Sequence, residues 1–183
     1  MTGRTHLLGG IASVTALHLI PGAVTAGSDA TNIGLLTLVA GIGALLPDLD
    51  ARHSTINHWK IGGGIEPFAL PSLLIYRAFG HRGLLHSLAG WGIASLCFGL
   101  PLLLWLGWQP AAALPLGYLS HLLLDGCTKT GVPLWYPNPR RVWVLPQPLR
   151  VTTGSAAEEV VLVLLAMLCL GLFLSVLSGV PRQ

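Results

Sequence analysis

Charge is the scarcest commodity in this sequence. Asp, Glu, Lys and Arg together make up 9% of 183 residues, where soluble domains carry roughly 25%. With 52% hydrophobic residues and a mean hydropathy of +0.70, that scarcity excludes a water-soluble globular protein and points to an integral membrane one. Cysteine is sparse too. Cys97, Cys127 and Cys169 show no C-x-x-C spacing, and two of them sit inside apolar runs, so neither a disulfide framework nor a thiolate zinc site is expected. No internal repeat or low-complexity segment occurs. The net charge of +3 and pI near 9.0 are read as the basic excess of cytoplasmic loops rather than as a nucleic-acid footprint.

What the chain does have is apolar runs, five of them, near residues 5–20, 31–46, 84–108, 111–124 and 160–177. A spanning helix needs about 20 residues. The third and fifth runs meet that length; the first, second and fourth are short and rich in Gly and Ala, suited to the interior of a bundle or to spanning with borrowed flanks. The length allows one compact bundle and no second full domain. The expectation is therefore an all-α, integral membrane helical bundle of about five helices, with residues 1–183 as a single membrane-embedded domain. The first run also resembles a signal peptide, with Arg4 ahead of it and Ala23-Val24-Thr25-Ala26 after it, but His18 and several glycines speak for a retained helix. An interfacial helix is expected near residues 66–79.

Threading the runs alternately across a bilayer brings six of the seven histidines and six of the seven acidic residues to one face. His18 and Asp29 are the exceptions. Nine of the ten Lys and Arg residues fall on that same face, which the positive-inside rule makes cytoplasmic.

On this face the chemistry concentrates. His121 and Asp125 are four residues apart, one helical turn, at the end of an apolar run. They read either as half of a metal site or as a hydrogen-bonded pair that caps and packs a helix. Pro47-Asp48-Leu49-Asp50 closes the second run and offers two carboxylates. His81-Arg82-Gly83 and His86 open the third, with His81 expected in a turn, His86 in the first helical turn, and Gly83 supplying the unusual backbone between them. Ser155 and Glu158 have capping-box spacing, Ser155 as N-cap and Glu158 at the third helical position. His6 completes the set; His53, His58 and Glu159 are read as bystanders. Imidazole and carboxylate donors from five helix ends suit two or more divalent ions, zinc first and manganese second.

Together these segments resemble the YdjM family of membrane-bound metal-dependent hydrolases. The resemblance is carried by Gly80-His81-Arg82-Gly83-Leu84-Leu85-His86-Ser87, by Leu45 to Asp50, by Gly117 to Asp125, by Thr128 with Gly131-Val132-Pro133-Leu134, and by Gly154 to Glu158. Leu85 departs from the family's frequent Thr before the histidine. The resemblance implies a divalent-metal hydrolase of the bacterial inner (plasma) membrane. More remotely, the architecture is similar to zinc-dependent phospholipase C, which implies phosphoester hydrolysis of a lipid or lipid-linked substrate.

The resulting expectation is a multi-pass hydrolase with its site at the cytoplasmic face. His6, Asp48, Asp50, His86, His121, Asp125 and Glu158 are the candidate metal ligands, and His81, Arg82 and Asp50 the candidate catalytic residues. His81 would be a ligand or general acid/base, and Arg82 would stabilise phosphate charge. Membrane lipids are the expected partners and nucleic acid is not. A metal-ion or proton transporter using the same His and Asp residues is the alternative, although the far half of each helix carries few polar groups. A purely structural metal is a third reading.

Overall fold

A computed structural model describes residues 1–17, 20, 30–50, 64, 69–79 and 82–178 of the chain. Helix α1 spans Gly3–Leu17, α2 Ala30–Leu45, α3 Ala69–Phe79, α4 Leu88–Ala94, α5 Leu100–Leu106, α6 Trp108–Gly126 and α7 Ala156–Leu177. A π-helical turn, Ser95–Gly99, joins α4 to α5 so that Leu88–Leu106 runs as one rod. The described residues thus hold six helical rods rather than five. The sixth is α3, the short element expected near residues 66–79, which starts at Ala69. No strand occurs among the described residues; two isolated bridges, Thr128 with Val151 and Val132 with Val142, pin the segment between α6 and α7.

Local sequence explains the breaks. Pro47 cannot continue the ladder of α2, and the chain tightens into a 3-10 turn over Leu46–Asp50. Pro101 has no N–H to offer the carbonyl four residues back, and the π turn widens the rod just there. Gly107, at φ 88, turns the chain from α5 into α6.

Among the described residues three helices are long and apolar enough to cross a bilayer: Asn32–Asp50, Leu88–Leu106 and Ala156–Val176. The first is α2 with its 3-10 extension, so the second run does reach spanning length through its flank. The three differ in place. Asn32–Asp50 is 56% buried and forms the centre, whereas Ala156–Val176 is 6% buried and faces outward along nearly its whole length.

The centre is the packing of α2 on α1 and α6, and it is close because glycine makes it so. A methyl group on Gly117 would collide with the Ala40 carbonyl, and one on Gly43 with the Leu114 carbonyl. Small residues let backbones meet where no water is expelled to drive association. Val14, Leu36, Leu114 and Tyr118 fill the space beside this crossing.

A candidate histidine–aspartate metal centre

Helix α6 presents Leu114, Gly117, Tyr118, His121, Leu122 and Asp125 as buried positions, a three–four spacing that marks one face. The hydrophobic stripe that packs α6 therefore carries His121 and Asp125 inward with it. Three further segments bring partners: α1 contributes His6, the 3-10 turn after α2 contributes Asp48 and Asp50, and the 3-10 turn Leu84–His86 contributes His86. His6, His86 and His121 are fully buried, and Asp50 and Asp125 nearly so.

Hydrogen bonds orient each ring. His121 Nδ1 lies 2.7 Å from the Ala44 carbonyl. A carbonyl can only accept, so Nδ1 carries the proton and Nε2 keeps its lone pair. His86 Nδ1 lies 3.0 Å from Asp50 Oδ2, which fixes that ring in the same tautomer and directs its Nε2 into the cluster. His6 Nε2 donates to the Met1 carbonyl at 3.1 Å. That leaves His6 Nδ1 as a buried lone pair with no hydrogen-bond partner. The His6 and His121 rings stack with centroids 3.6 Å apart at 14°.

Asp125 is the hub. Its Oδ1 receives the backbone nitrogen of Met1 and lies 3.3 Å from His6 Nε2. Its Oδ2 lies 3.0 Å from Arg82 Nη2, 3.7 Å from His86 Nε2 and 3.9 Å from His121 Nε2. Among the described residues two groups of donor atoms are close enough to hold a metal: His6, Asp48 and His121, and His86, His121 and Asp125. His121 belongs to both.

The donor set fits a cation on physical grounds. His86 Nε2 and His121 Nε2 stand 3.3 Å apart, and each is a lone pair by the tautomers just given. Two imidazole lone pairs facing each other in a buried setting repel, and a cation between them would relieve that; the unpartnered His6 Nδ1 is a further buried donor atom.

Of the expected ligands, His6, Asp48, His86, His121 and Asp125 come together. Asp50 stands behind His86, where its Oδ2 also accepts the Arg82 N–H at 3.0 Å. Glu158 lies in neither donor group. Its oxygens accept from Thr2 N, from Thr5 Oγ1 at 2.9 Å and from Gly154 N at 2.6 Å, tying the start of α7 to α1. Ser155 is the N-cap as expected, but the reciprocal capping bonds do not form: Ser155 Oγ has no partner, and Glu158 reaches Gly154 instead. His86 is not in the first turn of a helix. It ends its own 3-10 turn, and α4 begins at Leu88 behind the N-cap Ser87. The left-handed residue is Arg82, at φ 57, rather than Gly83. His81, with His18, His53, His58 and the Ala23–Ala26 segment, lies outside the described residues.

Sequence reasoning did not find the Ala44 carbonyl, the Arg82–Asp125 ion pair or the Tyr118 hydroxyl, which donates to the Leu85 carbonyl beside His86. The first and last involve backbone atoms, which no side-chain pattern reports.

Fold and site together define an integral membrane helical protein built around a buried His/Asp cluster able to hold a metal ion. The chain matches the family described as YdjM inner membrane protein over residues 1–180. It is 35% identical to YvsG of Bacillus subtilis over 162 residues, 88% of each chain. It is 38% identical to the inner membrane protein YdjM of Escherichia coli over 142 residues, 75% of this chain and 66% of that one. The protein belongs to the YdjM family. No solved structure matches the chain, and the remote likeness to zinc phospholipase C is not shown.

Proposed function

We propose that this protein is a membrane-bound, metal-dependent hydrolase that cleaves a phosphoester in a lipid or lipid-linked substrate. The observation that carries the reading is the facing pair of imidazole nitrogens, His86 Nε2 and His121 Nε2, at 3.3 Å. Two nitrogens each about 2.0–2.1 Å from a tetrahedral zinc would lie about 3.3–3.4 Å apart. His121 has a single lone pair, on Nε2, so the two donor groups that share it would be alternative seats for one ion, held either by His6, Asp48 and His121 or by His86, His121 and Asp125; zinc is the first choice for this donor set and manganese the next. When bound, such an ion lowers the pKa of a coordinated water toward about 7 and polarises a phosphoryl oxygen.

The chain's own residues do the rest. Asp50 keeps the His86 proton on Nδ1 and so keeps the lone pair on Nε2, on the side of the cluster. Ala44 does the same for His121. Arg82 sets a guanidinium beside Asp125, where charge on a phosphoryl group would develop, and His81, its neighbour in sequence, is the candidate acid/base. A site at one end of membrane-crossing helices meets a phospholipid at the depth of its ester.

Metal analysis of purified wild-type, His121→Ala and Asp125→Asn proteins, with hydrolysis of chromogenic phosphoesters and phospholipids, tests the proposal. Wild type should carry metal and activity, and both variants should lose most of each. Metal-free wild type, or full retention in both variants, would overturn it. Metal without hydrolysis, but with ion uptake into vesicles, would instead make the protein a transporter.

A further inference from the structure

Between α6 and α7, residues 126–155 contain Lys129, Arg140, Arg141 and Arg150 and no Asp or Glu. Backbone hydrogen bonds hold this segment in place: Val132 N to Val142 O at 3.1 Å, Val144 N to Gly126 O at 2.9 Å and Lys129 N to Val151 O at 2.9 Å. The backbone that carries its cations is therefore held in place. Arg150 is spent internally, stacked 4.5 Å over the Trp143 ring and donating to the Leu145 carbonyl.

Arg141 is different. Its Nη1 donates to the Thr130 carbonyl at 3.3 Å and to the Gly131 carbonyl at 3.4 Å, with no carboxylate partner among the described residues. The Gly131 carbonyl also receives Arg82 Nη1 at 3.5 Å, and Arg82 Nη1 touches Thr130 Oγ1. Two guanidinium groups are thus held within two hydrogen-bond lengths of each other. One reaches back to buried Asp125; the other stands on the exposed side of the loop. Asp125 already balances the Arg82 charge, so the uncompensated charge is that of Arg141, and a guanidinium left without a carboxylate beside a second one suits the oxygens of a phosphate.

We propose that Arg82 and Arg141, joined through Thr130 and Gly131, form a phosphate clamp at the exposed edge of the His/Asp centre. The ligand class is a phosphate ester, whether a lipid headgroup or a soluble phosphate. The clamp deepens the hydrolase reading by naming the group that is gripped, and it rests on that reading only for its place in catalysis.

The test uses the full chain in a neutral detergent, stripped of metal, with inorganic phosphate and dihexanoylphosphatidylglycerol as separate calorimetric titrants. Saturable binding is expected with at least one titrant. Arg141→Gln should weaken it on the order of tenfold, Arg141→Lys should restore part of the loss, and Arg140→Gln should change it less than about twofold. Tighter binding of the lipid than of phosphate identifies a headgroup site; equal binding identifies a site for the phosphate group itself. The clamp is wrong if wild type binds neither titrant, or if Arg140→Gln and Arg141→Gln weaken binding alike, which would mean diffuse attraction. Phosphate binding with no ester cleaved sinks the hydrolase and leaves the clamp. Cleavage with unchanged kcat and KM in Arg141→Gln does the reverse.

Discussion

His86 points the useful nitrogen into the cluster because Asp50 holds the other. An Asp50→Asn amide can donate to Nδ1 and so favour the opposite tautomer, with the proton on Nε2. Losing such a partner typically costs 10–100-fold in metal affinity or activity. A loss of about that size is expected here, read by metal titration of the purified variant; unchanged affinity would remove Asp50 from its orienting role. At this scale the sequence was informative where residues act through helix period. His121 and Asp125, four apart, could be paired without a structure. Asp50 looked the same as Asp48 in Pro47-Asp48-Leu49-Asp50, and only the chain's path past His86 separates a donor from its support. Arg82 and Asp125 were both singled out, but their 3.0 Å pairing joins positions far apart in sequence, which no local pattern encodes.

The elements that matter most are α2 and α6. Their separation is set where Gly117 passes the Ala40 carbonyl, one turn before His121. Gly117→Leu should prevent that approach and cost about 1–3 kcal/mol or more. A lowered midpoint in thermal unfolding of detergent-purified protein would show it, together with loss of bound metal although every ligand is intact. A variant as stable as wild type would mean that the crossing is looser than described. Helix existence was legible from the apolar runs, and the expected end at Pro47 is where α2 gives way to a 3-10 turn. Helix starts were less so. Leu84, Leu85 and His86 continue the hydrophobic pattern of α4 yet form a separate turn, because Ser87 caps the helix behind them with its side chain on Gly90 N. The Ser155–Glu158 spacing promised a local capping box, and tertiary donors from Thr2 and Thr5 redirected the glutamate.

For the molecule as a whole, the helix ends that carry His6, Asp48, His86, His121 and Asp125 meet at one end of the bundle, as alternate threading of the runs requires. Basic residues crowd the same end: Arg82, Lys129, Arg140, Arg141 and Arg150 all flank the site segments. The positive-inside rule predicts that this end faces the cytoplasm. An alkaline phosphatase reporter fused after α7 should then be active in intact bacterial cells, and one inserted in the loop after Gly126 inactive. The opposite pattern would place the site outside. The gathering of helix ends was legible because His and acidic residues stand at the polar ends of successive apolar runs. The order within the gathered set was not, since it depends on carbonyls and on α1 lying against α7.

The Ala40–Gly117 crossing also constrains how the family can drift. Neither residue bears chemistry, yet the same pair of helices fixes the Ala44 carbonyl that sets the His121 tautomer. Any side chain at position 117 would meet the Ala40 carbonyl, a backbone atom that every residue at position 40 carries, so a larger residue at 117 is tolerable only if the two backbones move apart, and moving apart unhooks the imidazole. Position 117, silent in the chemistry, should therefore stay glycine among relatives as strictly as the ligands themselves are kept.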